Sequence, residues 1–312
     1  MSRTSKSPRK VALVALDVGK EALPQYSHLF SPKKYTQPQL FACLVLREFY
    51  KADYRGICGI LADNPTLRDI IGLKEVPHWT TIQKASRRLL RSPSAQRLLD
   101  ATVVRCRPRK RNKRRPRVKQ AALDASGFEA NHVSHYFLRR RARGGKSFQD
   151  MTYRRFPKLA VLCDCSDHVI LAAVPGRGPS PDILHFQKAL RQAQGRGDIE
   201  TLLADAGYDA EWVHELARND LGIRTIIPPK IGRPTDKPPK GYWRRIMKAR
   251  IHLTGYPQRW QDETVFSMMK RRIGSAVNAR SYWSQCRALM LKAITHNTLI
   301  AYALSRWPRA AA

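Results

Sequence analysis

The feature that most constrains the fold is a run of positive charge in the first half of the chain. From residue 105 to residue 119, ten of fifteen residues are lysine or arginine. Because so many like charges cannot be buried together, this run marks a boundary between separately packed segments. We therefore predict a basic linker over residues 105–117.

The segment before the linker has the pattern of helices. Apolar residues recur at spacings of three and four over residues 40–50 and again over residues 66–73. No alternating strand pattern competes with them, so we predict an all-α N-terminal region over residues 1–104. The basic and apolar start imitates an export signal, but Asp17 and Lys20 interrupt it, and we expect no export.

The segment after the linker has the pattern of strands followed by alternating strands and helices. Short apolar runs end at Asp124, Asp164 and Asp205, and another apolar run follows the second of them closely, as in a hairpin. We predict an α/β domain over residues 118–306, with one sheet flanked by helices and two long helices at its end. Residues 228–256, rich in proline and basic residues, are expected to form a loop.

The charge of the chain points to a polyanionic partner. Fifty-eight Lys and Arg residues against 24 Asp and Glu residues leave a formal net charge of +34, more than solubility requires. Nucleic acid is the leading partner on these grounds, and a basic protein of ribosomal or chromatin type also fits the charge. An anionic membrane surface attracts such a chain too, but we find no apolar run of about 18 residues that spans a bilayer.

The cysteines argue against two structural classes. None of the six forms a C-x-x-C pair, which is unlike a zinc ribbon or a disulfide framework. We therefore expect a reducing, cytoplasmic compartment.

Three stretches carry side chains suited to nucleic acid. A helix expected after Pro77, with Thr80 and Gln83 spaced as a capping box, has the form of a recognition helix, although an ordinary amphipathic helix fits equally well. The linker can follow a phosphate backbone or act as an import signal. The sequence KGYWRR suits base stacking beside a phosphate, or the anchoring of a loop. The candidate DNA-binding residues in these stretches are Gln83, Lys84, Arg87, Arg88, Arg109, Lys110, Arg111, Lys113, Arg114, Arg115, Trp243, Arg244 and Arg245.

Two aspartates share one local pattern. Asp124 and Asp205 each end an apolar run and precede small residues and glycine. The carboxyl ends of strands are where α/β sheets bind ligands, although an aspartate in this position more often caps a turn. We predict that both carboxylates lie at the carboxyl edge of the sheet.

A third acid stands on an expected helix that Pro257 can begin. At about 100° per residue, Arg259, Glu263 and Lys270 fall within about 40° of one another, beside an apolar face. A surface ion pair between residues four apart explains such a stripe by itself. Three carboxylates in a very basic chain, however, can hold two divalent cations, while Arg259 and Lys270 neutralise phosphate charge.

These residues carry a resemblance to a known family. Tyr256, Arg259, Glu263 and Lys270 stand at the spacing Y-x-x-R-x-x-x-E-(six)-K, which is similar to that of insertion-sequence transposases of families four and five. The blocks LDASGFEA around Asp124 and LLADAGYDA around Asp205, and the turn RGPSPD between them, resemble family five. The resemblance covers roughly residues 118 to 304.

The resemblance implies an RNase H-like catalytic core, a mixed sheet flanked by helices, that follows the all-α N-terminal domain. It implies two Mg²⁺ or Mn²⁺ ions, with Asp124, Asp205 and Glu263 as catalytic and metal-binding residues. Water and then a DNA 3′-hydroxyl attack phosphodiesters in such enzymes, and Tyr256 helps to hold DNA near the cut. It also implies a homodimer or larger assembly on double-stranded DNA, at element ends and target, in the cytoplasm and associated with the nucleoid.

Two other functions are compatible with the same residues. A non-catalytic derivative or repressor of the element would bind DNA without cutting it, for which the charge and the helix after Pro77 suffice. An RNase H-like nuclease would use the same carboxylates to hydrolyse strands without joining them. The spacing from Tyr256 to Lys270 favours the transposase.

The net charge generates a prediction about DNA affinity. Contacts from many Lys and Arg residues to phosphates release counterions, so we expect the affinity for DNA to fall steeply between about 50 and 200 mM salt. Fluorescence anisotropy with a labelled duplex measures the slope. An affinity that stays constant over this range would contradict a phosphate-dominated interface.

Overall fold

The structure, a computed structural model of the chain, describes residues 4–107, 115–130, 155–230, 238–251 and 259–304. The chain divides into two compact units. The helical unit comprises Met1–Arg109, Met269–Ser275 and Trp283–Ala312, and the sheet unit comprises Lys110–Met268 and Ala276–Tyr282. The predicted domain boundaries stay predictions.

The helices start and stop at recognisable capping residues. The Ser7 hydroxyl accepts a hydrogen bond from the Lys10 amide at the start of the first helix, and Thr36 and Gln39 form a capping box at the start of the second. Gly72 ends the fourth with φ 72°, which glycine adopts without steric cost. The helices are α1 (Pro8–Ala22), α2 (Gln37–Phe49), α3 (Tyr54–Asp63), α4 (Pro65–Ile71), α5 (Trp79–Leu89), α6 (Ser94–Cys106), α7 (Phe186–Gln194), α8 (Glu211–Glu215), α9 (Tyr242–Arg250), α10 (Gln261–Ile273) and α11 (Tyr282–Leu304).

The chain also contains shorter helical turns. A 3₁₀ turn over Asp182–His185 precedes α7, a second over Ala206–Tyr208 follows Asp205, and a π-helical stretch over Leu216–Asp220 continues α8. Among the described helices, including the 23-residue α11, none combines the length and the hydropathy that a bilayer crossing requires.

The capping box predicted at Thr80 and Gln83 is wrong. Helix α5 begins at Trp79 and its N-cap residue is His78, which makes no side-chain cap hydrogen bond. Thr80 therefore already lies inside the helix, where its Oγ1 is 2.8 Å from Nδ1 of His78. The side chains of Lys84, Arg87 and Arg88 on this helix are exposed and Gln83 is half-buried, so the helix does present a basic face.

The sheet unit is built on five strands in the order β3-β2-β1-β4-β5. Strands β1, β2 and β3 pair in antiparallel fashion, whereas β4 is parallel to β1 and β5 is parallel to β4. Helix α7 packs against β2 and β3. This mixed five-stranded sheet flanked by helices is consistent with an RNase H-like DDE domain. The strands are β1 (Arg117–Gly127), β2 (Phe156–Asp164), β3 (Ile170–Gly178), β4 (Asp198–Ala204) and β5 (Arg224–Ile226).

The segment expected to be an irregular loop contains a helix. Helix α9 occupies Tyr242–Arg250 within the predicted insertion of residues 228–256. The prolines of that insertion all precede residue 240, so nothing prevents a helix from forming after Gly241. Glu211 accepts hydrogen bonds from the amides of Trp243 and Arg244, which satisfies two of the first free donors of the helix.

The helical unit contains a buried group of charges. Lys292 of α11, only 4% exposed, donates from Nζ to Glu48 Oε2 at 3.2 Å and to the carbonyl oxygens of Ile273 and Gly274 at 2.8 and 3.1 Å. Arg47 forms a second ion pair with Glu48. Lys292 thereby joins α2, α11 and the end of α10 within this unit through charge-assisted hydrogen bonds.

We expect Lys292→Met to lower the free energy of unfolding by about 2–4 kcal/mol, because Glu48 loses one of its two cations inside the core and two carbonyl groups lose their donor. Urea unfolding followed by circular dichroism measures the change. Lys188→Met, which removes an exposed lysine of α7, is the matched control. Equal stabilities of the two variants would contradict a structural role for Lys292.

Candidate active site

The parallel pairing of β1 and β4 brings Asp124 and Asp205 side by side. The register pairs Leu123 with Ala204, so Asp124 of β1 and Asp205, the residue directly after β4, follow this last pair. Side chains at neighbouring positions of adjacent strands point to the same face of a sheet. Strand β1 continues to Gly127, so Asp124 lies near its carboxyl end, opposite Val161 of β2, and not at its last residue as predicted.

Each aspartate makes one backbone hydrogen bond. Oδ1 of Asp124 accepts from the amide of Ala125 at 2.8 Å, and Oδ1 of Asp205 accepts from the amide of Gly207 at 2.8 Å. A Cβ atom at position 207 would lie 2.9 Å from Oδ1 of Asp205, so glycine allows this turn to close on the carboxylate. Asp205 therefore has the turn-capping role considered for it, whereas Asp124 lies within β1 and caps no turn. Each hydrogen bond orients its carboxylate.

Arg259 connects Asp124 with Glu263. Its Nη1 lies 3.9 Å from Oδ2 of Asp124, and its Nη2 donates to Oε1 of Glu263 at 2.9 Å. The Glu263 side chain is 61% exposed. Arg259 sits in a short turn before Gln261, where α10 begins, and residues 252–258 are outside the described part. The sheet unit thus brings three predicted acids and their arginine to one region.

In the structure, Asp124, Asp205 and Glu263 do not form a complete metal-binding site. Within the described ranges, no three His, Cys, Asp or Glu side chains are placed so that they could hold a metal ion. Glu263 instead makes its ion pair with Arg259. Strand pairing therefore fixes the positions of Asp124 and Asp205. The distance of the Glu263 carboxylate from them depends on the conformation of its exposed side chain.

The electrostatics of the site centre on Asp124. Burial raises its pKa to about 6, and the negative charges of Asp205 and Asp182 add to the increase. The amide of Ala125 and the guanidinium of Arg259 act in the opposite direction and only partly offset the burial. Ionisation of Asp124 is therefore less favourable than that of an exposed aspartate, and additional positive charge beside it would favour the ionised form.

Asp262 is a site residue that the sequence reasoning missed. Its side chain is fully buried, and the thiol of Cys163 on β2 donates to its Oδ1 at 2.7 Å. Burial raises the pKa of Asp262 well above its usual range. On the helical wheel that places Arg259 at zero, Asp262 falls at about 300°, in the middle of the apolar arc. The sequence signal for Asp262 is an acid at a helix position that is surrounded by apolar positions.

Two further groups border the aspartates. The side chain of Tyr208 is fully buried, and its hydroxyl has no hydrogen-bond partner in the described part of the chain. Asp182, in the predicted turn RGPSPD, forms an ion pair with Lys158, whose Nζ also donates to the carbonyl of Ser180 at 2.7 Å. The charges of Asp182, Asp124 and Asp205 all raise the pKa of Tyr208 beyond the effect of its burial.

The predicted contact residues of KGYWRR take part in packing. Arg244 forms a two-point ion pair with Asp209, from Nε to Oδ1 at 2.9 Å and from Nη2 to Oδ2 at 2.7 Å. The guanidinium of Arg218 lies 4.3 Å from the ring centre of Trp243. These contacts describe the loop-anchoring alternative for both residues. Arg245 is exposed, with Nε donating to the Gly241 carbonyl, and DNA contact by this group stays a prediction.

The structure describes some of the other predicted site residues. Lys270 is half-exposed and lies on α10, about two turns beyond Glu263. Arg115 donates from Nη1 to the Gln194 carbonyl at the end of α7 at 2.6 Å. Six predicted residues lie outside the described ranges: Tyr256, Arg109, Lys110, Arg111, Lys113 and Arg114.

The comparison with known families agrees with the mixed α/β fold. Residues 91–298, about two-thirds of the chain, match the family described as Transposase DDE domain. The chain therefore belongs to the transposase DDE domain family. No curated protein matches it.

The raised pKa of Asp124 generates a prediction about stability. The unfolded chain releases this proton near pH 3.8 and the folded protein near pH 6, so the free energy of unfolding of the metal-free protein falls as the pH rises between these values. We expect Asp124→Asn, which cannot ionise, to stabilise the protein at pH 8 by about 1–3 kcal/mol and to have little effect at pH 4.

Thermal unfolding at the two pH values, in the presence of a chelator, measures this difference. Asp198→Asn is the control, because Asp198 is an exposed acid at the opposite end of β4. A stability difference for Asp124→Asn that does not depend on pH would contradict the raised pKa.

Proposed function

We propose that this protein is an insertion-sequence transposase of the family-five type, which cuts and rejoins DNA with Asp124, Asp205 and Glu263 as its catalytic carboxylates. One observation carries the proposal. The parallel register of β1 and β4 sets two aspartates side by side, and Arg259 links one of them to Glu263. The family membership, the spacing from Tyr256 to Lys270 and the net charge of +34 support the same function.

The donor set fits Mg²⁺ or Mn²⁺. Carboxylate oxygens are the ligands that these hard cations prefer. Burial, and to a lesser extent the charge of Asp205, raises the pKa of Asp124, and a cation bound between the acids would favour the ionised form. Asp124, Asp205 and Glu263 would hold the two ions. When bound, the ions activate the attacking oxygen and stabilise the leaving oxygen of the phosphodiester.

The remaining chemistry belongs to residues of the chain. Arg259 directs both terminal nitrogens at carboxylates, so a DNA phosphate that approaches would compete with Glu263 for these donors. On DNA binding, Arg259 exchanges Glu263 for phosphate oxygens, which releases the glutamate toward Asp124 and Asp205. Lys270 and Tyr256 would hold the DNA near the cut.

DNA binding draws on charge outside the carboxylate site. The exposed Lys84, Arg87 and Arg88 of α5 would contact element ends, together with Gln83 and the basic residues 109–115. Arg245 and Trp243 would also contact the DNA. Because two ends are joined in one reaction, the active assembly on DNA is at least a dimer, and nucleoid association follows from DNA binding.

Single substitutions in the carboxylate set test the proposal. Asp124→Asn, Asp205→Asn and Glu263→Gln keep the size of each side chain and remove a charged ligand, so we expect end cleavage in Mg²⁺ to fall by at least about 100-fold. The substrate is a duplex that carries the inverted repeats expected on both sides of the reading frame, identified by sequencing the flanking DNA. Gel shifts check that DNA binding persists, and Asp198→Asn is the matched control.

The products separate the three functions. Cleaved ends that are joined to a target duplex support the transposase, and cleavage without joining identifies a nuclease. Binding without cleavage by the wild-type chain identifies a non-catalytic derivative. Full cleavage by any of the three carboxylate variants would show that the catalytic assignment is wrong.

A further inference from the structure

The buried pair of Cys163 and Asp262 lies directly beside the proposed catalytic carboxylates. Asp262 is the second residue of α10, and its side chain has no exposure to solvent. The Cys163 thiol donates to Oδ1 at 2.7 Å, and Oδ2 has no hydrogen-bond partner in the described part of the chain. The pair contains no residue of the predicted site.

Stability does not explain an acid at this position. A carboxyl group that leaves water with only one weak thiol donor and one unpartnered oxygen destabilises the folded state, whereas an apolar side chain would pack there at lower cost. Val265 and Phe266 on the same helix are buried apolar residues of the expected kind. What the acid adds is a directional contact, which an apolar side chain lacks.

The contact reaches the sheet next to Asp124. Strand β2 pairs Val161 with Asp124, and Cys163, two residues further along β2, points to the same face. The hydrogen bond therefore attaches the first turn of α10 to the neighbouring strand, on the face that carries Asp124. All of these residues belong to the sheet unit.

The attachment controls the rotation of α10 about its axis. Glu263 follows Asp262 by about 100°, so Asp262 facing the sheet sets the direction of Glu263. With side chains reaching about 5–6 Å from a helix axis, a rotation of about 20° moves the Glu263 carboxylate by about 2 Å. Misplacement of a catalytic group by about 1 Å can cost about 100-fold in rate.

We propose that Cys163 and Asp262 are positioning residues, whose hydrogen bond holds α10 at the rotation at which Glu263 meets Arg259, the arginine that also faces Asp124. The catalytic consequence rests on the proposed function, whereas the effect on the helix does not. A serine at position 163 keeps a donor, and an alanine removes it. The two substitutions therefore separate the hydrogen bond from the packing of the side chain.

Hydrogen exchange on the purified full chain, without DNA or metal, tests the positioning directly. We expect Cys163→Ala to speed exchange of the Val265, Phe266 and Ser267 amides at least about fivefold, because the first turn of α10 loses its attachment. Cys163→Ser should stay within about twofold of wild type. Cys43→Ala, which removes a buried thiol from α2 in the helical unit, controls for the loss of side-chain volume.

End cleavage in Mg²⁺ supplies the second readout. We expect Cys163→Ala to lower kcat by about 10- to 100-fold with an unchanged Kd for DNA, as for other groups that support metal ligands, and Cys163→Ser to restore it. Exchange in Cys163→Ala that equals wild type, or a serine variant as defective as the alanine variant, would overturn the inference. A wild-type chain that does not cleave DNA would contradict only the proposed function, because the hydrogen-exchange result does not depend on cleavage.

Discussion

The whole site depends on two like charges that the backbone forces together. Hydrogen bonds between β1 and β4 fix the register, and the register puts Asp124 next to Asp205 whether or not their charges favour it. Burial and this neighbouring charge raise the pKa of Asp124 to about 6. Because this pair is unfavourable for stability, we interpret it as a site that attracts positive charge.

The rest of the sheet unit is arranged around that pair. Arg259 places a positive charge 3.9 Å from Asp124 and shares it with Glu263. The beginning of α10 is attached to β2 through Cys163 and Asp262, so the helix that carries the third acid is held on the correct face. In the proposed function the +34 charge of the chain has a different role, because it would attract the DNA polyanion and offset the local negative field of the carboxylates.

The sequence was informative where short-range pattern decides structure. The apolar runs ending near Asp124 and Asp205 form adjacent strands, and the expected hairpin between β2 and β3 is present. Of the predicted stripe of Arg259, Glu263 and Lys270, the ion pair between Arg259 and Glu263 is present, although Arg259 lies before Gln261, the first residue of α10. Such features follow from side-chain periodicity, which one strand or helix determines by itself.

Features that depend on tertiary contacts were missed or misplaced. The role of Asp262 requires knowing that Cys163 faces it from another element, which periodicity does not contain. The proline content of the whole insertion does not reveal helix α9, because all of these prolines precede residue 240. The ion pair of Arg244 joins it to Asp209, 35 residues away, and the sequence pattern around Arg244 does not contain this contact.

The most direct measurement asks whether Asp124, Asp205 and Glu263 share one metal site. Fe²⁺ bound in place of Mg²⁺, with ascorbate and peroxide, generates hydroxyl radicals that cut the polypeptide near the ion, and mass spectrometry locates the cuts. Our interpretation predicts cuts near all three residues, suppressed together by excess Mg²⁺ and by Asp124→Asn. Cuts confined to other parts of the chain, or cuts near the three residues that respond independently to Mg²⁺, would contradict a shared site.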